Sequence, residues 1–71
     1  MRTEISARPV SALGIQTLQR LAQGLTSRQI ACIEGTSPRT VDGRIALLCE
    51  CMGAMSRAEL VALAMRRGMV T

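Results

Sequence analysis

The sequence predicts an all-α fold. Two patterns point to it: apolar residues recur at three- and four-residue spacing, and hydroxyl residues and glycines bracket those runs as start and stop signals. Composition agrees, because the chain has no Phe, Tyr or Trp and its core must come from Leu, Ile, Val, Ala and Met. Seventy-one residues make one domain. A chain of that size buries only about 60% of the surface its unfolded state exposes, so a partner subunit would help it.

Residues 1–9 carry two Arg, one Glu and Pro9 without periodicity and are expected to form a mobile arm. The domain is then expected over residues 10–71. Structure begins near Ser11. Ile15, Leu18, Leu21 and Ala22 share one face of a first helix, and Gly24 follows as a left-handed terminator.

Thr26 caps a short second helix that turns Ile30 and Ala31 inward, and Gly35-Thr36-Ser37 breaks it after about two turns. Ser37 caps the third helix. Pro38 occupies its first position, where a missing N–H costs nothing. Val41, Ile45, Leu48 and Met52 make an inward stripe that runs to Gly53.

Ser56-Arg57-Ala58-Glu59 has the form of a capping box, and Gly68 closes the fourth helix. This helix shows two apolar faces. Leu60, Leu63 and Ala64 suit the domain's own core, whereas Ala58, Val61, Ala62 and Met65 form a second face that fits a helix–helix dimer contact.

The net charge of +4 comes from arginine and suits an anionic partner. No apolar run approaches the roughly 18 residues of a membrane span, and the N-terminus lacks a signal-peptide segment, so a cytoplasmic protein is expected. Cys32, Cys49 and Cys51 form an odd set in a chain without histidine, and Cys49 and Cys51 would point about 200° apart on a helix. They are read as structural thiols, buried or half-buried, with no metal or other cofactor. The absence of histidine removes the commonest general base, so an enzyme is not expected.

Two short helices joined by a tight turn, the second opened by Ser-Pro, describe a helix-turn-helix. The segments LAQGLTSRQIA at 21–31, TSPRTV at 36–41 and SRAELVALA at 56–64 go further. Together they closely resemble the DNA-binding domain of LuxR-type (GerE-like) transcription regulators. The likeness spans about residues 10–70.

The resemblance implies a four-helix LuxR-type helix-turn-helix domain that binds double-stranded DNA as a homodimer. The third helix would enter the major groove and the fourth would form the dimer contact. It also implies a small stand-alone module, since a sensing or receiver domain has no room here. Carried over by position, Arg28 and Gln29 lie near the phosphate backbone, while Arg39, Thr40 and Val41 begin the recognition helix. Gly43 is a groove-facing position, Arg44 stands at phosphates or bases, and Leu47 is set against a thymine methyl.

Several residues depart from the family pattern. Asp42 stands where Lys is usual, Arg44 where His is usual, and Glu34 where a core Leu is usual; Leu13-Gly14 replaces an Arg-Glu pair, and Leu47 and Cys51 fall at polar or basic positions. Over residues 26–53, Arg28, Arg39 and Arg44 are cancelled by Glu34, Asp42 and Glu50, which weakens the phosphate term of DNA affinity. Two functions therefore stand side by side. One is a DNA-binding transcription regulator. The other is a protein-binding antagonist of a LuxR-type activator, which keeps the fold, has lost DNA reading, and uses its fourth helix or the Ile33/Ala46/Leu47 surface.

Overall fold

Each helix begins where a hydroxyl side chain takes the place of a missing backbone partner. A computed structural model describes residues 10–71, and the expected arm at 1–9 lies outside the described residues. Four helices follow in order among the described residues: α1 (Ala12–Ala22), α2 (Ser27–Glu34), α3 (Pro38–Met52) and α4 (Arg57–Arg66). Their N-caps are Ser11, Thr26, Ser37 and Ser56, and each side-chain oxygen accepts from the backbone N–H three residues on.

The reciprocal capping box is on α2 rather than α4. Thr26 Oγ1 accepts from Gln29 N, and Gln29 Oε1 accepts from Thr26 N at 2.9 Å. On α4, Ser56 caps Glu59 N at 3.1 Å, but the Glu59 carboxylate accepts from Met55 N instead of Ser56 N. That half-box still satisfies an orphan donor, one residue further out.

Gly24, at φ +89°, turns the chain out of α1, and Gly35, at φ +71°, closes α2. Both lie in the left-handed region that a side chain makes costly. The core is a single cluster around the fully buried Leu18, Ile30, Val41 and Leu60. The α3 stripe Val41, Ile45, Leu48 and Met52 is buried throughout. α2 packs on α3, and α1 packs against both α3 and α4. Beyond α4, Val70 returns to the core at 6% exposure.

Two readings of the sequence change here. Cys32 and Cys51 are exposed, because both lie off the inward faces of their helices; only Cys49 packs partly against the core. On α4, Leu60 and Ala64 are buried and Leu63 is half-buried, but Val61 of the second face is also half-buried against the core. Ala58, Ala62 and Met65 remain exposed. No helix among the described residues is long and apolar enough to cross a membrane.

Candidate nucleic-acid interface

The stripe that packs α3 also decides what α3 presents. With Val41, Ile45, Leu48 and Met52 inward, the 100° step of a helix puts Arg39, Gly43, Ala46 and Glu50 on the opposite side. All four are exposed. Thr40 and Leu47 flank that row, and Leu47 is 62% exposed. The C-cap at Gly35 and the N-cap at Ser37 compress the α2–α3 connection to a three-residue turn. Thr40 is further held at 3.0 Å by the Ser37 hydroxyl, which fixes the first turn of α3.

Two ion clusters flank this helix. On the side toward α1, the Arg44 guanidinium donates to both Glu34 carboxylate oxygens at 3.0 Å and to Thr17 Oγ1 at 3.0 Å. Arg20 of α1 donates to the same carboxylate at 3.0 Å. The side chains are sheltered, at 20% exposure for Arg20, 19% for Arg44 and 14% for Glu34. On the side toward α4, Arg57 donates to Asp42 at 3.3 Å and to the Ser27 hydroxyl at 3.0 Å, and Ser27 in turn donates to Asp42. This second pair is open to water, at 46% and 58% exposure.

These pairings revise the charge count. Along the chain, residues 26–53 are neutral. In space, Arg20 and Arg57 come in from outside that segment and hold Glu34 and Asp42. Residues 26–53 together with these two partners set five arginines, Arg20, Arg28, Arg39, Arg44 and Arg57, against Glu34, Asp42 and Glu50, a surplus of two positive charges. Among the described residues neither Arg28 nor Arg39 has a carboxylate partner, and both are exposed.

The expected contact residues divide accordingly. Arg28, Gln29, Arg39, Thr40, Gly43 and Leu47 are exposed on α2 and α3. Val41 is fully buried in the core, so its side chain faces the interior instead of a base edge. Arg44 is turned toward α1 and α2 by Glu34 and Thr17 instead of outward. Gln29 spends its carbonyl oxygen on the α2 cap and keeps its amide N–H₂ as a donor.

Sequence reasoning missed Thr17, Arg20, Ser27 and Arg57. The bonds from Arg44 to Thr17 and from Arg20 to Glu34 span 27 and 14 positions, and that from Arg57 to Ser27 spans 30, so no local spacing announces them. The one available signal was the pair of departures at 34 and 44: an acid in a core position and an arginine ten residues later answer one another. Among the described residues no group of three or more His, Cys, Asp or Glu side chains is placed to hold a metal ion.

The GerE model of bacterial regulatory proteins, luxR family, matches residues 4–64. The transcriptional regulatory protein YdfI of Bacillus subtilis (strain 168) is 43% identical over 54 residues, which cover 76% of this chain and 25% of that protein. The crystal structure of the Vibrio cholera VqmA–ligand–DNA complex superposes with a TM-score of 0.81 at 34% identity, over 86% of this chain and 27% of the other. This chain thus spans about a quarter of the length of each relative. Four helices in this order, a three-residue turn before α3 and a family match over most of the chain make this a LuxR-family helix-turn-helix domain.

Proposed function

We propose that this domain binds double-stranded DNA and serves transcription regulation. The observation that carries the reading is the exposed Arg39–Thr40–Gly43 surface at the start of α3, with Arg28 beside it on α2 and no carboxylate holding either arginine among the described residues. Arg39 contacts a base edge or phosphate, Arg28 and the Gln29 amide contact the backbone, and Thr40 contacts a base edge. Gly43 has nothing within 4 Å of where a Cβ would stand, so α3 can approach a groove wall closely there. Leu47 offers an apolar contact for a thymine methyl.

The domain acts as a homodimer, with Ala58, Ala62 and Met65 of α4 and the half-buried Val61 at the contact. Two half-sites about one helical turn apart would then be read together. Sedimentation at high concentration should show a dimer that Ala62→Asp abolishes.

Fluorescence anisotropy with a mixed-sequence duplex tests the DNA reading. Binding should fall steeply as salt rises, and Arg39→Ala should lower both affinity and salt slope. A chain that leaves the duplex free at low salt overturns it. A second reading, an antagonist that pairs with a LuxR-type activator, draws on the exposed apolar side chains Leu47 at 62% and Ile33 at 58%. In that case co-purification with the activator should survive Arg39→Ala and fail with Leu47→Asp.

A further inference from the structure

Arg44 is the arginine of α3 that does not face outward, and the reason is a single carboxylate. Glu34 accepts from Arg44 through both oxygens and from Arg20 through one, so one negative charge serves two guanidinium groups from two other helices. The pairs are short and only 14–20% exposed, which strengthens them relative to a surface pair.

Arg44 is nonetheless close to the reading surface. Thr40 and Leu47 are four positions before it and three after it, on the same flank of α3, and both are exposed. On that flank Arg44 borders a shallow open groove with Val10, Gly14, Leu47 and Cys51. All three of its bonds leave from Nη1, so a change of side-chain torsion, without movement of α3, would swing the guanidinium between Thr40 and Leu47.

We propose that Glu34 is an internal competitor for Arg44, holding on the α1 side a guanidinium that would otherwise meet a DNA phosphate, and so setting the affinity and salt dependence of DNA binding. This rests on the DNA-binding reading above. Carboxylate and phosphate present the same paired oxygens to an arginine fork. The carboxylate prevails because it is tethered 3.0 Å away in a sheltered site.

The test is fluorescence anisotropy of the whole 71-residue chain with a mixed-sequence duplex over a range of salt. Glu34→Gln should steepen the salt slope by about 0.9, which is a further loss of roughly 3.5-fold between 50 and 200 mM salt, and tighten binding at low salt. Arg44→Ala in the otherwise unchanged chain should leave the slope where it was. Glu34→Gln with Arg44→Ala should lose the gain, whereas Glu34→Gln with Arg20→Ala, of the same net charge, should keep it.

The competitor role is overturned if Arg44→Ala alone flattens the slope by about 0.9, if Glu34→Gln changes nothing, or if its gain survives Arg44→Ala. Should circular dichroism show that Glu34→Gln does not fold, Glu34→Leu supplies apolar volume in the same place and carries the same expectations. A wild-type chain that binds no duplex removes the DNA reading by itself. The Glu34 role then stands only if a Glu34 variant acquires binding that Arg44→Ala abolishes, and falls if it acquires none.

Discussion

The two flanks of α3 carry the same kinds of residue and put them to opposite use. Toward α1 lie a carboxylate cluster, Glu34 with Arg20 and Arg44, and a buried glycine, Gly14. Toward α4 and the solvent lie a carboxylate cluster, Asp42 with Arg57, and an exposed glycine, Gly43. The first pair of features is sheltered and crowded; the second is wet and open. Burial, not residue type, decides which of them hold the helix and which leave it free to meet a partner.

Glu34→Ala should produce the largest effect. It takes the shared carboxylate from two guanidinium groups, of which Arg44 can turn outward and Arg20 stays sheltered on α1, and urea unfolding should show a loss of about 1–3 kcal/mol. A loss below about 1 kcal/mol would make the cluster no different from its exposed counterpart.

Gly14→Ala comes next. An added Cβ would stand 2.5 Å from Val10 Cγ1 and 3.1 Å from Leu48 Cδ2, and Leu48 is already buried at 6% exposure. Overpacking of about 1–3 kcal/mol exceeds the helix propensity that alanine restores, so the net should be a loss of about 1 kcal/mol.

Gly43→Ala should go the other way. Nothing lies within 4 Å of its Cβ position, and the exposed interior of a helix should gain about 1 kcal/mol from the substitution. Duplex affinity that falls while stability rises would sharpen the contrast, because only a close partner at position 43 could account for it. Arg57→Ala should move stability least, by less than about 1 kcal/mol, since its pair with Asp42 is about half exposed. A larger loss would mean that the two flanks differ less than their exposure indicates.

The helices were legible because their signals are local. Thr26, Ser37 and Ser56 cap within three residues, Gly24, Gly35, Gly53 and Gly68 all adopt positive φ, and the Val41–Met52 stripe needs no knowledge of what covers it. The capping boxes were less so: Thr26–Gln29 closed where Ser56–Glu59 half-closed, a difference of one residue in where a carboxylate turns back. Of the candidate site, Arg39, Gly43 and Leu47 follow from the outward side of that stripe, whereas Arg28 on α2 and Thr40 come from the family resemblance. Val41 belongs to both the family motif and the stripe, and burial resolved the conflict in favour of the core.

Periodicity, caps and glycines are enough for the all-α class, the order of four helices, the turn between α2 and α3, and the inward stripe of α3. Periodicity and caps act over three or four residues, so one chain suffices to read them. The ion pairs depend instead on how the helices pack. A carboxylate's partner depends on which helices meet around it, and Glu34 found Arg20 and Arg44 from two of them while Asp42 found Arg57 from another. A neutral segment of chain thereby became a surface with a positive surplus, because charge adds along the sequence but acts through distance.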